Sequence, residues 1–382
     1  MCRRMTLHPG VLSGMTRSEL SRLAVVVSGS VPPDTRTRID RGANPRLDFT
    51  HLQSLGATIF TRDSAPEGRA FLRRTLGERF APAEAVAEAA DRFDAIFCVA
   101  EDIGVPVALA LRLRGKRTPL LVGVHGHYLV NRKFRLWALA ARHDAATRFL
   151  PLSEPIRARL IAEFGIPASR CHTLCVPIDT RFFAPEPAPE ADPPMILSAG
   201  AAQRDYPTLI AVMEDVPARF RIASGSSWIG EATKLAVPET CTMGSAGSMP
   251  GLRALYAAAA MVVLPLQDVV HASGYAVAME AMAMGKALIV TRTEAPADFF
   301  LDGETCLLVP PGDPAALRSA ILRLLENADL RMRLGRAARH LMEERYGMES
   351  YTADLARLLT DVSRPPAQAQ DPGHWVRRPR GG

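Results

Sequence analysis

Residues 261–291, MVVLPLQDVVHASGYAVAMEAMAMGKALIVT, decide the fold. Met261 to Pro265 is a short apolar run of the kind buried in parallel sheets, and Ala287 to Thr291 is another. Between them Ser273-Gly274 predicts a helix start with Ser273 as N-cap, Tyr275 to Met284 read as helix formers, and Gly285 ends the run. The unit is strand, loop, helix, strand. In open α/β sheets built from such units, ligands sit at the carboxyl ends of the strands, where helix N-termini offer free N–H groups to phosphate.

Glu280 lies about a turn and a half into that helix and is the single carboxylate of residues 271–286. An ionised carboxylate in apolar surroundings costs several kcal/mol or more without partners, so it faces solvent, an arginine or a ligand. A vicinal diol is one such ligand, because one carboxylate accepts both hydroxyl hydrogens. Spacing alone does not choose among the three. Met279, Met282 and Met284 read as core filler, and Tyr256, in Leu252-Arg-Ala-Leu-Tyr256, as a residue packed on a helix face.

The chain has 382 residues, 48% hydrophobic and 23% charged, which is the composition of a two-domain globular protein with ample core. No segment supplies about 18 uninterrupted apolar residues, and MCRRMTLHPG lacks the apolar centre of a signal peptide, so the expectation is cytoplasmic. Six irregularly placed cysteines read as reduced thiols. Cys171-His-Thr-Leu-Cys175 reads as a strand, and no second ligand pair completes a tetrahedral metal site around it.

Residues 1–181 hold 27 Lys and Arg against 17 Asp and Glu, net +10, while the remainder is net −4. A basic first half suits an anionic partner, whether phosphate, an acidic acceptor or the inner face of a membrane touched peripherally. Since 42 of the 46 basic residues are arginine, part of this is compositional bias. Nucleic acid is not expected as a partner: there is no basic recognition helix, no zinc-finger spacing and few aromatics.

Strand-like and helix-like segments alternate along the whole chain. Strands are expected at Leu23 to Val27, Ala57 to Phe60, Asp94 to Ala100, Leu120 to His125 and Arg148 to Ser153. After a proline-rich acidic stretch the pattern restarts with Met195 to Ala199, Arg219 to Ser224, the two strands around Glu280, and Cys306 to Val309. This predicts two Rossmann-like, doubly wound α/β domains around a cleft, the usual place for a ligand. The expected boundaries are a first domain over 1–183, a linker over 184–194, a second domain over 195–346, a last helix over 347–362 and a disordered tail over 363–382. Asp313 before Pro314 is an N-cap followed by proline at the first helical position. Glu101-Asp102 follows a strand end and so points towards the cleft.

EAMAMGKALIVTRTEAPADFFLDGETCLLVPPGDPAALRSAILRLL, residues 280–325, closely resembles the donor-binding end of the retaining glycosyltransferases of family 4, which have the GT-B fold. The likeness extends loosely to ILSAGAAQRDYPTL (196–209), LCVPIDTRFFAP (174–185) and VGVHGHY (122–128). It implies that Glu280 is the second glutamate of an E-x7-E motif and binds the donor's ribose diol. The first glutamate would stand at position 272, which is alanine, with His271 and Ser273 beside it as substitutes. The resemblance makes Arg204 the grip on the diphosphate, with Ala201 where a second arginine is usual, and His125 the residue near the reacting centre, with His127 as alternative. Gly200 and Gly274 read as close approaches to the donor, joined by the backbone at Ser273 to Tyr275.

The implied activity is transfer of a sugar from a nucleotide-diphosphate donor, with retention, without a metal and without a cofactor. The acceptor is open among small molecule, lipid-linked sugar and saccharide. Two other readings remain. One is a same-fold enzyme of different chemistry, such as an epimerase or pseudo-glycosyl coupling enzyme, for which Glu101 is the residue to inspect; the other is a non-catalytic partner, suggested by Ala272 and Ala201.

Overall fold

The computed structural model describes residues 20–363 except 65–73, 75, 76, 78, 79, 128, 130–134, 136, 139, 140, 142, 143, 145, 190, 225–234 and 295. The tail expected to be disordered, after 363, lies outside the described residues.

The first sheet holds β1 (Leu23–Val26), β2 (Thr58–Phe60), β3 (Ala95–Cys98), β4 (Leu120–Val124) and β5 (Thr147–Pro151), ordered β2-β1-β3-β4-β5 and parallel throughout. β1, β3 and β4 are buried along their whole length, which is why each reads as a continuous apolar run rather than an alternating one. The second sheet holds β6 (Met195–Ala199), β7 (Arg219–Ala223), β8 (Cys241–Gly244), β9 (Met261–Leu264), β10 (Leu288–Thr291) and β11 (Leu307–Val309), ordered β11-β10-β9-β6-β7-β8, again all parallel. The molecule is α/β with two Rossmann-like sheets. Each sheet has a switch point where the strand order reverses, between β1 and β3 in the first and between β6 and β9 in the second.

Two sequence expectations need correction. Cys171 to Cys175 forms no full strand: Cys171 makes an isolated parallel bridge to Phe149, and the segment holds to β5 only through the His172 and Leu174 N–H groups, which donate to the Phe149 and Pro151 carbonyls at 3.0 and 2.9 Å. Ser273 is not the N-cap of the Tyr275–Ala283 helix. Gly274 holds that place in the left-handed region at φ 75°, where a Cβ would press on Leu264 and Leu266, and no side chain caps the helix.

That helix is buried on nearly all sides, through Tyr275, Ala278, Met279, Ala281, Met282 and Ala283. It packs on β9, β10 and the Ala328–Arg345 helix, where a Cβ at Gly335 would run into the Gly285 carbonyl oxygen. Asp313 accepts the Ala316 N–H and caps the Pro314–Glu326 helix.

The chain passes between the sheets twice, side by side. Ile178 N–H donates to the Tyr346 carbonyl at 2.8 Å. Arg339 donates to the carbonyls of Phe183 (2.7 Å), Ala283 (2.6 Å) and Thr180 (3.1 Å), fixing the first crossing to the second domain. Asp179, nearly fully buried, accepts from Arg46 Nη2 at 2.7 Å and Arg46 N at 2.9 Å, fixing it to the first. The Met348–Ser363 helix then returns to the first sheet: Tyr351 and Leu355 share a buried cluster with Leu23, Val25, Phe97 and Leu121. Another cluster runs continuously from Val124, Phe149 and Ile156 to Tyr275, Met279 and Met282. No helix among the described residues is long and apolar enough to cross a membrane.

Candidate functional site

The second sheet's switch point is lined by the loop after β6, which carries Gly200 and Arg204, and the loop after β9, which leads to Glu280. The two loops are bonded to each other: Asp205 N donates to the Pro265 carbonyl at 3.1 Å and Gln267 N to the Gln203 carbonyl at 3.0 Å, with Arg204 and Leu266 bridged between them. Arg204 is buried, with Nε on the Ala199 carbonyl at 2.9 Å and Nη1 on the Ala202 carbonyl at 2.7 Å. Gly200, at φ 91°, is glycine for a second reason as well, since a Cβ there would collide with that guanidinium. No ion pair among the described residues engages Arg204. Burial lowers its pKa, and Tyr206, Tyr256 and Glu280 oppose the shift.

Glu280 is half-buried, and its Oε2 accepts the Tyr256 hydroxyl at 2.8 Å. Burial pushes its pKa up to about 7, with the Tyr256 hydrogen bond and Arg204 acting in the other direction. Glu280 is therefore neither fully exposed nor directly bonded to an arginine. Tyr256 is the residue that the sequence reading placed only on a helix face. It is fully buried, and a buried phenol must find a partner for its O–H, so a tyrosine within the small apolar run Ala254 to Ala260 was the available signal.

Between these groups, Ser273 is buried and the Tyr275 ring turns inward, 5.5 Å from Phe299 and 6.2 Å from Phe300 between centroids. Only the backbone of Tyr275 is left to the loop, and burial raises its hydroxyl pKa.

The loop after β4 meets the loop after β9 across the cleft. Ala272 N donates to the His125 carbonyl at 2.9 Å, and Gly126, at φ 91°, lets the chain lie against His271, where a Cβ would come within 3.2 Å of the His271 Cα. The His127 and His271 rings stack with centroids 4.0 Å apart at 39°. Burial first and His127 second push the His271 pKa down to about 4. Burial also lowers that of His127, with Glu101 opposing and His125 adding to the shift. The His125 ring points back into its own domain, Nε2 lying 3.1 Å from the Val99 carbonyl. Glu101 is buried beneath it and accepts the His125 N–H at 2.8 Å.

Gly200, Arg204, Gly274 and Glu280 thus frame one side of the switch point, while His125, His127 and His271 gather where the domains touch. Among the described residues no group of three or more His, Cys, Asp or Glu could hold a metal ion. Cys171 and Cys175 have thiols pushed up to about 12 by burial.

Two Rossmann-like domains with a helix-headed switch point and a half-buried carboxylate form the arrangement in which open α/β sheets hold ligands at the carboxyl ends of their strands. Residues 45–182 match the family model described as Glycosyltransferase Family 4, and residues 203–327 the one described as Glycosyl transferases group 1. The chain belongs among the glycosyltransferases of GT-B architecture. No curated protein matches it. Solved structures similar in fold include a glycosyltransferase from Rickettsia africae ESF-5 (TM-score 0.66, 14% identity, 90% of this chain and 99% of that one). HepE of Anabaena in complex with UDP gives TM-score 0.66 at 15% identity, covering 89% of this chain and 100% of that one. Sucrose-phosphate synthase from Thermosynechococcus elongatus gives 0.66 at 19%, covering 89% and 99%.

Proposed function

We propose that this protein transfers a sugar from a nucleotide-diphosphate donor to an acceptor hydroxyl or amine, with retention at the anomeric carbon and without a metal. The observation that carries the reading is Glu280: a half-buried carboxylate held by Tyr256 at 2.8 Å, on the helix that follows the switch-point loop. Glu280 accepts the ribose hydroxyls, the backbone N–H groups at the start of its helix meet the diphosphate, and Arg204 supplies positive charge from below. As the bond to the sugar breaks, negative charge grows on the diphosphate, and fixed donors there favour the transition state. HepE has been crystallised with UDP, with UDP-glucose, and with UDP and glucose, which supports a nucleotide-sugar donor here. Retention and the absence of a metal rest on the family likeness of residues 280–325.

His125 is assigned a backbone role. Its carbonyl and N–H join the Ala272 loop to Glu101, and this ties the acceptor-side domain to the donor loop. Glu101, committed to that N–H, does not favour the epimerase reading. One observation favours a non-catalytic partner: the Arg204 guanidinium is already bonded to its own loop.

Thermal stabilisation by UDP, GDP and ADP separates the two readings, since a ligand that binds the native state raises the midpoint. The transferase reading expects one diphosphate to stabilise wild type and to lose its effect in Glu280→Ala. If none shifts the midpoint at millimolar concentration, the non-catalytic reading stands.

A further inference from the structure

Glu280 meets a nucleoside with one carboxylate oxygen already engaged, and the group that engages it comes from outside the donor loops. Tyr256 lies near the end of the Met249–Ala258 helix, is fully buried, and donates its hydroxyl to Glu280 Oε2 at 2.8 Å, with the Val277 carbonyl at 3.4 Å as a second acceptor. A fixed donor on one oxygen restricts the rotation of a carboxylate and favours its ionised form. Arg204, in the loop after β6, acts on Glu280 by charge alone. Lys286 turns away to the Ala257 carbonyl at 2.7 Å. Tyr256 is the bonded side-chain partner that aims Glu280.

Tyr256 is itself held by the interdomain crossing. Its ring stands edge-on to Phe183, at 84° with centroids 6.3 Å apart. Arg253, three residues earlier and so on the same helix face, lies over the Phe182 ring at 4.9 Å, bonds the Phe182 carbonyl at 3.4 Å and pairs with Glu186 at 3.1 Å. The crossing that carries Phe182 and Phe183 is anchored to the first domain by Arg46 on Asp179 and to the second by Arg339 on the Phe183 carbonyl. A chain of fixed contacts runs from the crossing through Phe183 and Tyr256 to Glu280.

Resting on the donor-site reading above, we propose that Tyr256 is a positioning residue for the nucleotide, holding Glu280 aimed at the ribose hydroxyls, and that Phe183 sets the place of Tyr256, so that the interdomain crossing and the nucleoside site act as one unit. Glu280 titrates near 7, and the Tyr256 bond is one of two influences that keep it from rising further. Removing the hydroxyl therefore raises the pKa, and fewer carboxylates are ionised at pH 7.

The test is calorimetric titration of wild type, Tyr256→Phe, Phe183→Leu and the double variant with UDP, GDP and ADP, at pH 7 and pH 9. For the diphosphate that binds, Tyr256→Phe keeps the ring and loses only the hydroxyl. It is expected to weaken binding about fivefold at pH 7 and less than about twofold at pH 9, where the carboxylate is ionised again. Phe183→Leu keeps the hydroxyl but frees the ring, and should weaken binding about threefold at pH 7, with the double variant no weaker than Tyr256→Phe alone. A loss in Tyr256→Phe that is as large at pH 9 as at pH 7 would assign Tyr256 to packing and overturn the proposal, and additive losses in the double variant would overturn the link to the crossing. Unchanged binding in Tyr256→Phe overturns the proposal and leaves the donor-site reading standing. A wild type that binds no diphosphate brings down the donor-site reading itself, and this inference with it.

Discussion

Glu280 changes charge near neutrality, and its two forms serve different ends. Burial raises its folded-state pKa from 4.5 to about 7, so the protein keeps a proton that the unfolded chain has already lost between those values. The contribution of Glu280 to stability is therefore greatest below about 4.5 and is lost as pH rises through 7. Glu280→Gln removes this titration. Its unfolding free energy should exceed that of wild type by about 1–3 kcal/mol at pH 8 and approach it at pH 4.5, read from urea midpoints across the range. Affinity for the nucleoside diphosphate should move the opposite way in wild type, strengthening from pH 6 to 8, because only the ionised carboxylate accepts both ribose hydroxyls. Glu280 was legible in the sequence because a lone carboxylate in an apolar helix demands a partner. Tyr256 was not, because its hydroxyl finds Glu280 from another helix, 24 residues away in the chain.

At the scale of elements, buried parallel strands announce themselves as unbroken apolar runs, as β1, β3, β4, β9 and β10 do, and ten of the eleven strands among the described residues were readable. β8, Cys-Thr-Met-Gly, was not: it is an edge strand with only Cys241 buried, so its pattern is short and mixed. The start of the glutamate helix was misread by one residue because Leu264 and Leu266 close over Gly274, a tertiary contact that outweighs the capping preference of serine. Packing between elements yields a second prediction. A methyl at Gly335 has nowhere to go against the Gly285 backbone, so Gly335→Ala must push the Ala328–Arg345 helix away and should lower the thermal midpoint. Asp313→Ala removes one cap hydrogen bond and should cost about 1 kcal/mol, seen as a smaller shift in the same measurement.

At the scale of the whole molecule, the two domains meet through groups that titrate. The folded-state pKa of His271 is depressed to about 4, so the folded protein resists a proton that the unfolded chain accepts below about 6.5. The contribution of His271 to stability is lost as pH falls from 6.5 towards 4, and a protonated His271 would also face His127 across the domain contact. His271→Phe keeps a stacked ring without the charge, and its midpoint should fall less than that of wild type between pH 6.5 and 4.5. The Arg46–Asp179 pair is the other tie. Arg46 more than reverses the effect of burial on Asp179 and holds its carboxyl below the usual range. Arg46→Ala strands a buried carboxylate and should cost about 3 kcal/mol, whereas Arg46→Met with Asp179→Leu should cost less, as measured by chemical denaturation. Nothing in the sequence paired these residues, since 133 positions separate them.

The return of the last helix sets the order in which the chain can complete itself. The first domain is synthesised first, yet one flank of its core, around Leu23, Val25, Phe97 and Leu121, is covered by Tyr351 and Leu355. During translation that apolar flank must stay open until the second domain has emerged behind it. The domain begun first is thus finished last, and a chain truncated after the Ala328–Arg345 helix leaves the first domain, not the second, with an uncovered face.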